Sequence, residues 1–382
     1  MSDPRLTVLQ VLPAMETGGV ERGTLEMAEY LVSQGHRALV ASTGGSLVRL
    51  LNRAGAEHVE LPVRSKSPLV IYRNIGRLAR LIEQEKVDLV HARSRAPAWS
   101  AMYAARRTGR PFVTTVHGAY GIGNRLKRAY NSVMVRGDAV IAISDFIRDY
   151  IVRGYPQSRW ERVVVIPRGV DLDLFRYGSV PAARLIQLSE LWSLPERVPV
   201  ILLPGRLTRL KGHAVLIEAL AMLRSTDAVA VFVGGDVERD AYKAELRQLA
   251  ERLGVGSRVW FVGACRDMPA AYSLSSVVVS ASTQPEGFGR TAVEAQAMGR
   301  PVVVTDHGGS RETVAPGETG WRVTPGDPKA MAEAIDDVLE MSQPERDAMA
   351  ARSVAHVTAN YTTELMCRRT LDVYRQLLSE RG

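Results

Sequence analysis

Glu286 and Glu294 stand eight residues apart in the run Gln284–Pro301, QPEGFGRTAVEAQAMGRP. The run follows an apolar strand pattern, turns through Gly287 and Gly289, and enters a helical pattern. Free N–H groups at such a helix start can meet anionic or hydroxyl-rich atoms. A carboxylate accepts from two vicinal hydroxyls, so Glu294 suits a sugar-ring diol. Two plain surface glutamates are the alternative. It is disfavoured because Ala292, Val293, Ala297 and Met298 give that helix a buried look.

Three further places carry chemistry-bearing residues. In Leu202–Gly212, LLPGRLTRLKG, Arg206 and Lys211 precede a helix start; two fixed cations and a helix dipole suit a diphosphate, and a solvated basic turn is the alternative. Arg209 reads as the solvent-facing member of that loop. Near the start, Gly18 and Gly19 open the first helix, where backbone can approach an anion closely. The spacing is neither G-x-G-x-x-G nor a Walker loop, so dinucleotide and P-loop chemistry are unsupported. His91 and His117 each end a strand pattern, and both are expected to point into a crevice, able to orient a hydroxyl or move a proton. A lone histidine is more often structural; the glycine after His117 favours that one.

The elements that must position these residues alternate along the chain. Strands are expected near Val8–Leu12, Ala38–Ala41, Leu89–His91, Phe112–Val116, Ala139–Ile143 and Val163–Ile166, with amphipathic helices between them. The pattern repeats with strands near Val200–Leu203, Val229–Val233, Arg258–Phe261, Val277–Ser280 and Val302–Thr305. Continuous apolar strands separated by helices predict parallel sheets covered on both faces, here two successive doubly wound α/β units. The boundary is expected in Asp171–Glu196, which lacks a strand period. A last helix, Thr362–Leu378, follows a unit already complete and is expected to cross back to the first. Ligand crevices of such sheets lie at the strands' carboxyl ends, so two crevices facing each other predict a site between the domains.

Composition narrows the classes. The chain has 382 residues, 46% hydrophobic and 24% charged, which excludes a disordered, collagenous or disulfide-framed protein. Cys265 and Cys367 have no metal-type spacing and read as two plain thiols in a reducing compartment. No apolar run reaches signal-peptide or membrane-span length, so the protein is expected to be cytoplasmic. The net charge of +8 is compatible with nucleic acid, a membrane surface or an anionic substrate. Its distribution is more specific: residues 51–150 hold 17 basic and 8 acidic side chains, whereas 201–382 hold 21 and 23.

Glu286-x7-Glu294 within PEGFGRTAVEAQAMGRPVV closely resembles the signature of retaining glycosyltransferases of family 4, which have the GT-B fold. GGVER, VTTVHG, IAISDFIRDYI, VIPRGVDLDLF, PGRLTRLKG, FVGGD and TGWRVTPGDP resemble the same family, in order, across nearly the whole chain. The resemblance implies an α/β, GT-B architecture: two Rossmann-like doubly wound domains facing across a cleft. An acceptor-binding domain over 1–180, joined by the terminal helix 361–382, would face a nucleotide-sugar domain over 195–358. It implies Arg206 and Lys211 on the donor diphosphate and Glu294 on the ribose hydroxyls. Glu286 with the N–H groups of Gly287, Phe288 and Gly289 would hold the transferred hexose, and Arg290 and Thr291 complete the donor-binding set. Gly18 and Gly19 would meet the donor phosphate and His117 the donor sugar. His117, Arg206, Lys211 and Glu286 are thus the expected catalytic set.

The same resemblance implies retention by same-face attack and no cofactor or metal, the cations and helix termini supplying the positive charge. Arg168, Arg290 and Ser276 depart from the commonest family pattern, in which Asn, an aliphatic residue and Asp are usual. Asp171-Leu-Asp173 is formally a D-x-D but reads as structural. A UDP-sugar is the favoured donor and a glycan or lipid-linked molecule the acceptor, in synthesis of a surface glycan such as lipopolysaccharide. The basic excess of residues 51–150, with Arg125, Lys127 and Arg128 beside Tyr120 and Tyr130, suits an anionic membrane surface on the inner face of the plasma membrane; no nucleic-acid partner is expected. The rival classes are a nucleotide-sugar epimerase of the same fold and a non-enzymatic module binding anionic lipid or polyanion. An NAD-dependent oxidoreductase is disfavoured by the missing glycine fingerprint.

Overall fold

The computed structural model describes residues 4–121, 123–156, 160–235 and 240–381, with backbone alone at Trp160 and Asp240. Asp236 of the FVGGD motif lies outside the described residues. Two compact units divide the chain: Met1–Arg168 with Thr363–Gly382, and Gly169–Thr362.

The first unit holds β1 (Thr7–Val11), α1 (Gly19–Ser33), β2 (Arg37–Ser42), α2 (Val48–Arg53), β3 (Glu57–Glu60), α3 (Pro68–Gln84), β4 (Leu89–Ala92), α4 (Arg95–Arg107), β5 (Phe112–Val116), α5 (Arg125–Asn131), β6 (Ala139–Ala142), α6 (Asp145–Gly154) and β7 (Val163–Val165). Its sheet is parallel throughout, in the order β3-β2-β1-β4-β5-β6-β7, with Val8 opposite both Ala38 and Leu89. β4, β5 and β6 are buried along their whole length, which is why their sequences carry no charged residue and do not alternate between apolar and polar.

The second unit holds α7 (Ala182–Leu191), β8 (Val200–Pro204), α8 (His213–Leu220), β9 (Val229–Val233), α9 (Asp240–Arg252), β10 (Val259–Gly263), α10 (Met268–Leu274), β11 (Val277–Ser280), α11 (Arg290–Ala297), β12 (Val302–Thr305), α12 (Ser310–Thr313), β13 (Gly320–Val323), α13 (Pro328–Glu340) and α14 (Gln343–Asn360). Its sheet is also parallel, ordered β10-β9-β8-β11-β12-β13. Both orders reverse direction once, between β1 and β4 and between β8 and β11, the point at which doubly wound sheets take their ligands.

The terminal helix α15 (Thr363–Ser379) belongs to the first unit. Met366, Leu371, Val373 and Tyr374 enter that unit's core beside Val8, Leu31 and Val113. At about 1.5–3 kcal/mol per buried large apolar side chain, these contacts hold the helix there.

The structure differs from the sequence expectation in four places. α2 and β3 were not foreseen; β3 reads Glu-His-Val-Glu and lies at the sheet edge, so it lacks the apolar run of a covered strand. β13 is the edge strand of the other sheet and was missed for the same reason. The stretch Asp171–Glu196 lacks a strand period because it contains α7, whose Arg184 grips Asp267 at the start of α10 (2.9 and 2.5 Å). The residues just after Arg168 belong to the second unit, where the resemblance led us to expect the first to run to 180: Val170 bridges Thr362, and its N–H donates to the Tyr361 carbonyl at 2.8 Å.

Candidate active site

In the second unit β8 and β11 are neighbours, with Ile201 opposite Val277, so the loops at their carboxyl ends converge. Gly212 closes the first loop with φ +71°, and a Cβ there would lie 1.9 Å from the Ala281 carbonyl oxygen. Only glycine lets α8 begin this close to the end of β11. The convergence brings Lys211 and Glu286 into an ion pair, Nζ to Oε1, of 2.7 Å. The Ser282 hydroxyl donates to the same oxygen. Burial pushes the Glu286 carboxyl up, but the Lys211 ammonium and the Lys211 and Ser282 hydrogen bonds outweigh it. The net result lies below the ordinary carboxylate value.

The Glu286 turn is braced from the loop after β12. Gly309 N–H donates to the Glu286 carbonyl at 2.9 Å, and a Cβ on Gly308 would sit 2.5 Å from that oxygen. His307 Nε2 lies 2.8 Å from the Ser282 carbonyl and 2.9 Å from Thr305 Oγ1.

Glu294 is held at both oxygens. Arg290 Nε donates to Oε1 at 2.7 Å, and the Tyr272 hydroxyl donates to Oε2 at 2.8 Å. Its side chain is 12% exposed, so the carboxylate is oriented and still reachable. Tyr272 is fully buried; burial, then the Glu294 charge and its hydrogen bond, push its hydroxyl well above the usual range, so it stays a donor. α8 and α11 start from Gly212 and Gly289 in the left-handed region, with no side-chain cap at either N-terminus. Their first N–H groups are not occupied by a capping side chain.

The remaining expected residues fall as follows. Gly287 and Thr291 are half-buried beside this turn. Phe288 packs its ring edge-on against Tyr361 at 5.5 Å, so only its backbone faces the loop chemistry. Arg206 is exposed on the Lys211 loop, and Arg209 pairs with Glu245 at 2.5 Å, as suits a surface residue. Asp171 Oδ1 accepts from the N–H groups of Asp173 and Leu174, a local turn that accounts for the D-x-D.

Gly18, Gly19 and His117 lie in the first unit. Gly18 is extended, with φ 172°, and a Cβ on Gly19 would meet nothing within 4 Å, so the protein's own packing does not require glycine at Gly19. Arg168 lies beneath the first turns of α1. Its Nη2 donates to the Gly19 carbonyl at 2.8 Å and lies 3.7 Å from Glu26, and a Cβ on Gly23 would strike its guanidinium. His117 follows β5, and its Nε2 is buried without a hydrogen-bond partner among the described residues. Burial, then Arg93, Arg168 and His91, hold its pKa well below the ordinary value, so the ring is neutral at pH 7. His91 does not point into a crevice. It is fully buried, with Nδ1 2.6 Å from Tyr374 Oη and Nε2 2.7 Å from Thr115 Oγ1, and it serves to seat α15.

Two family models cover most of the chain: Glycosyltransferase Family 4 over residues 17–174 and Glycosyl transferases group 1 over 188–354. A D-inositol 3-phosphate glycosyltransferase of Catenulispora acidiphila is 30% identical over 98% of this chain and 96% of its own. The chain is a family 4 glycosyltransferase. A crystal structure of a glycosyltransferase from Rickettsia africae matches this glycosyltransferase with a TM-score of 0.91 and 37% identity, over 98% and 99% of the two chains. Anabaena HepE in complex with UDP-glucose matches with a TM-score of 0.83 and 24% identity, over 98% and 100%. The architecture is therefore GT-B.

Tyr272, Ser282 and His307 were missed from sequence. Ser282 and His307 follow strand ends, a signal that marks them once the sheet is known. Tyr272 is 22 residues from Glu294 and carries no local signal.

Proposed function

We propose that this glycosyltransferase moves a hexose-type sugar, with retention, from a nucleotide sugar to a saccharide or lipid-linked acceptor in surface-glycan synthesis. The observation that carries the donor reading is the convergence of the Lys211–Glu286 pair and the doubly held Glu294 on two uncapped helix starts. Lys211 and Arg206 meet the diphosphate, Glu286 and the Gly287–Gly289 backbone the hexose, and Glu294 the ribose. Gly18, Gly19 and the neutral His117 serve the donor's phosphate and sugar from the first unit. The departing diphosphate gains negative charge, which fixed cations and N–H groups stabilise without a metal. The UDP-glucose in HepE supports a UDP-sugar; retention is proposed from the family likeness alone. Thermal unfolding against a panel of UDP-, GDP-, ADP- and dTDP-sugars tests the donor. The right one at 100 times its dissociation constant adds about 2.7 kcal/mol of stability, undiminished by EDTA. No shift with any nucleotide sugar, or a shift abolished by EDTA, overturns the assignment or its metal independence.

The acceptor side is proposed to work at an anionic membrane surface. The basic surplus of residues 51–150 supports this, as does a hollow of about 620 Å³ lined by Arg125, Arg128, Arg136 and Tyr155. Leu126 stands 81% exposed on the same helix. No helix among the described residues is long and apolar enough to cross a membrane. The protein is expected to co-sediment with vesicles containing phosphatidylglycerol and not with phosphatidylcholine alone. Equal recovery with both ends this reading.

A further inference from the structure

Arg290 breaks two local rules of helix chemistry. It places a cation in the first turn of α11, the positive end of the helix dipole. It also stands N-terminal to its i,i+4 partner Glu294, the weaker orientation for such a pair. Helix stability therefore does not account for an arginine here, and residues that break local rules tend to answer to a site.

The site is the Glu294 carboxylate. Arg290 takes one lone pair of Oε1 and Tyr272 one of Oε2, so the carboxylate plane is fixed from both sides. Each carboxylate oxygen has more than one lone pair, so Glu294 can accept these two bonds and still accept from two vicinal hydroxyls. The guanidinium also offsets the Glu294 charge near the place proposed for a diphosphate.

The geometry points to Arg290 as a positioning residue that sets the enzyme's selectivity for ribose-bearing donors by aligning Glu294, with Tyr272 as its counterpart on the other oxygen. This rests on the proposal that Glu294 receives the nucleotide's ribose.

The experiment compares the affinities of UDP and 2′,3′-dideoxy-UDP by calorimetry in wild type, Arg290→Leu and Arg290→Lys. The ratio of the two affinities within one variant cancels any unfolded fraction. In wild type, loss of both hydroxyls is expected to weaken binding by about 10- to 100-fold, the scale of hydrogen bonds to a charged acceptor. Arg290→Leu is expected to collapse that ratio to a few-fold, mainly by weakening UDP, and to raise the donor KM with little change in kcat. Arg290→Lys should recover part of the ratio. Equal weakening of both nucleotides in Arg290→Leu, with the ratio intact, overturns the positioning role, because Arg290 would then act on the phosphates or the fold. A wild type that does not distinguish the two nucleotides overturns the ribose assignment of Glu294 itself.

Discussion

Lys211→Ala is expected to slow sugar transfer by about 100- to 1000-fold, the usual effect of removing one preorganised charge from an oxyanion-type site. Arg206→Ala is expected to cost a similar factor, and the two differ in what else they disturb. Lys211 neutralises Glu286 at 2.7 Å, whereas Arg206 is exposed and makes no ion pair among the described residues. Without Lys211, burial dominates the Glu286 carboxyl and its pKa rises. The depressed carboxyl of the wild type contributes stability that is present above the unfolded value of 4.5 and is lost as the pH falls through the lower folded value. In Lys211→Ala that acid-side loss shrinks or reverses, because a carboxyl raised by burial favours the folded state on protonation; in Arg206→Ala it stays as in the wild type. Turnover with the donor found by thermal shift, and unfolding midpoints between pH 3 and 7, read both effects. Near-normal turnover in both variants removes the diphosphate role. A shared acid profile removes the Lys211–Glu286 coupling.

The parallel sheets were legible because their central strands are covered on both faces, which forces apolar runs such as Val277–Ser280 and Val302–Thr305. The edges were not, because Glu57–Glu60 and Gly320–Val323 need to be apolar on fewer sides. Lys211, Glu286 and Glu294 were legible because each stands in a glycine-punctuated run at a strand's carboxyl end. Their partners were not. Tyr272 and the brace at Gly308 and Gly309 reach the two glutamates through tertiary folding, Ser282 meets Glu286 from four residues back on the same loop, and Arg290 looks misplaced until Glu294 is seen to accept from it. His91 shows the opposite error: a strand-end position matched a crevice residue, yet Tyr374 of α15, 283 residues later, covers it, and no local pattern near His91 announces that cover.

Gly212→Ala is the second change expected to have a large effect, by about 2–5 kcal/mol of lost stability. Part is conformational, since φ +71° costs an L-residue about 1–2 kcal/mol. The rest is steric, since a Cβ 1.9 Å from the Ala281 oxygen forces the loop and β11 apart, and overpacking of this kind costs about 1–3 kcal/mol. Gly254 separates the two contributions. Its φ of +72° is nearly the same, but a Cβ there meets nothing within 4 Å, so Gly254→Ala should lose only the conformational share. The steric share also has a catalytic consequence. Lys211 precedes Gly212 and Ser282 follows Ala281, so prising those two residues apart separates both partners of the Glu286 Oε1 atom. Gly212→Ala is therefore expected to lose turnover even at temperatures where it remains folded, while Gly254→Ala keeps it. Equal stability losses in the two variants, measured by urea unfolding, with turnover retained in both, would mean that the close approach of α8 to the end of β11 does not organise the site.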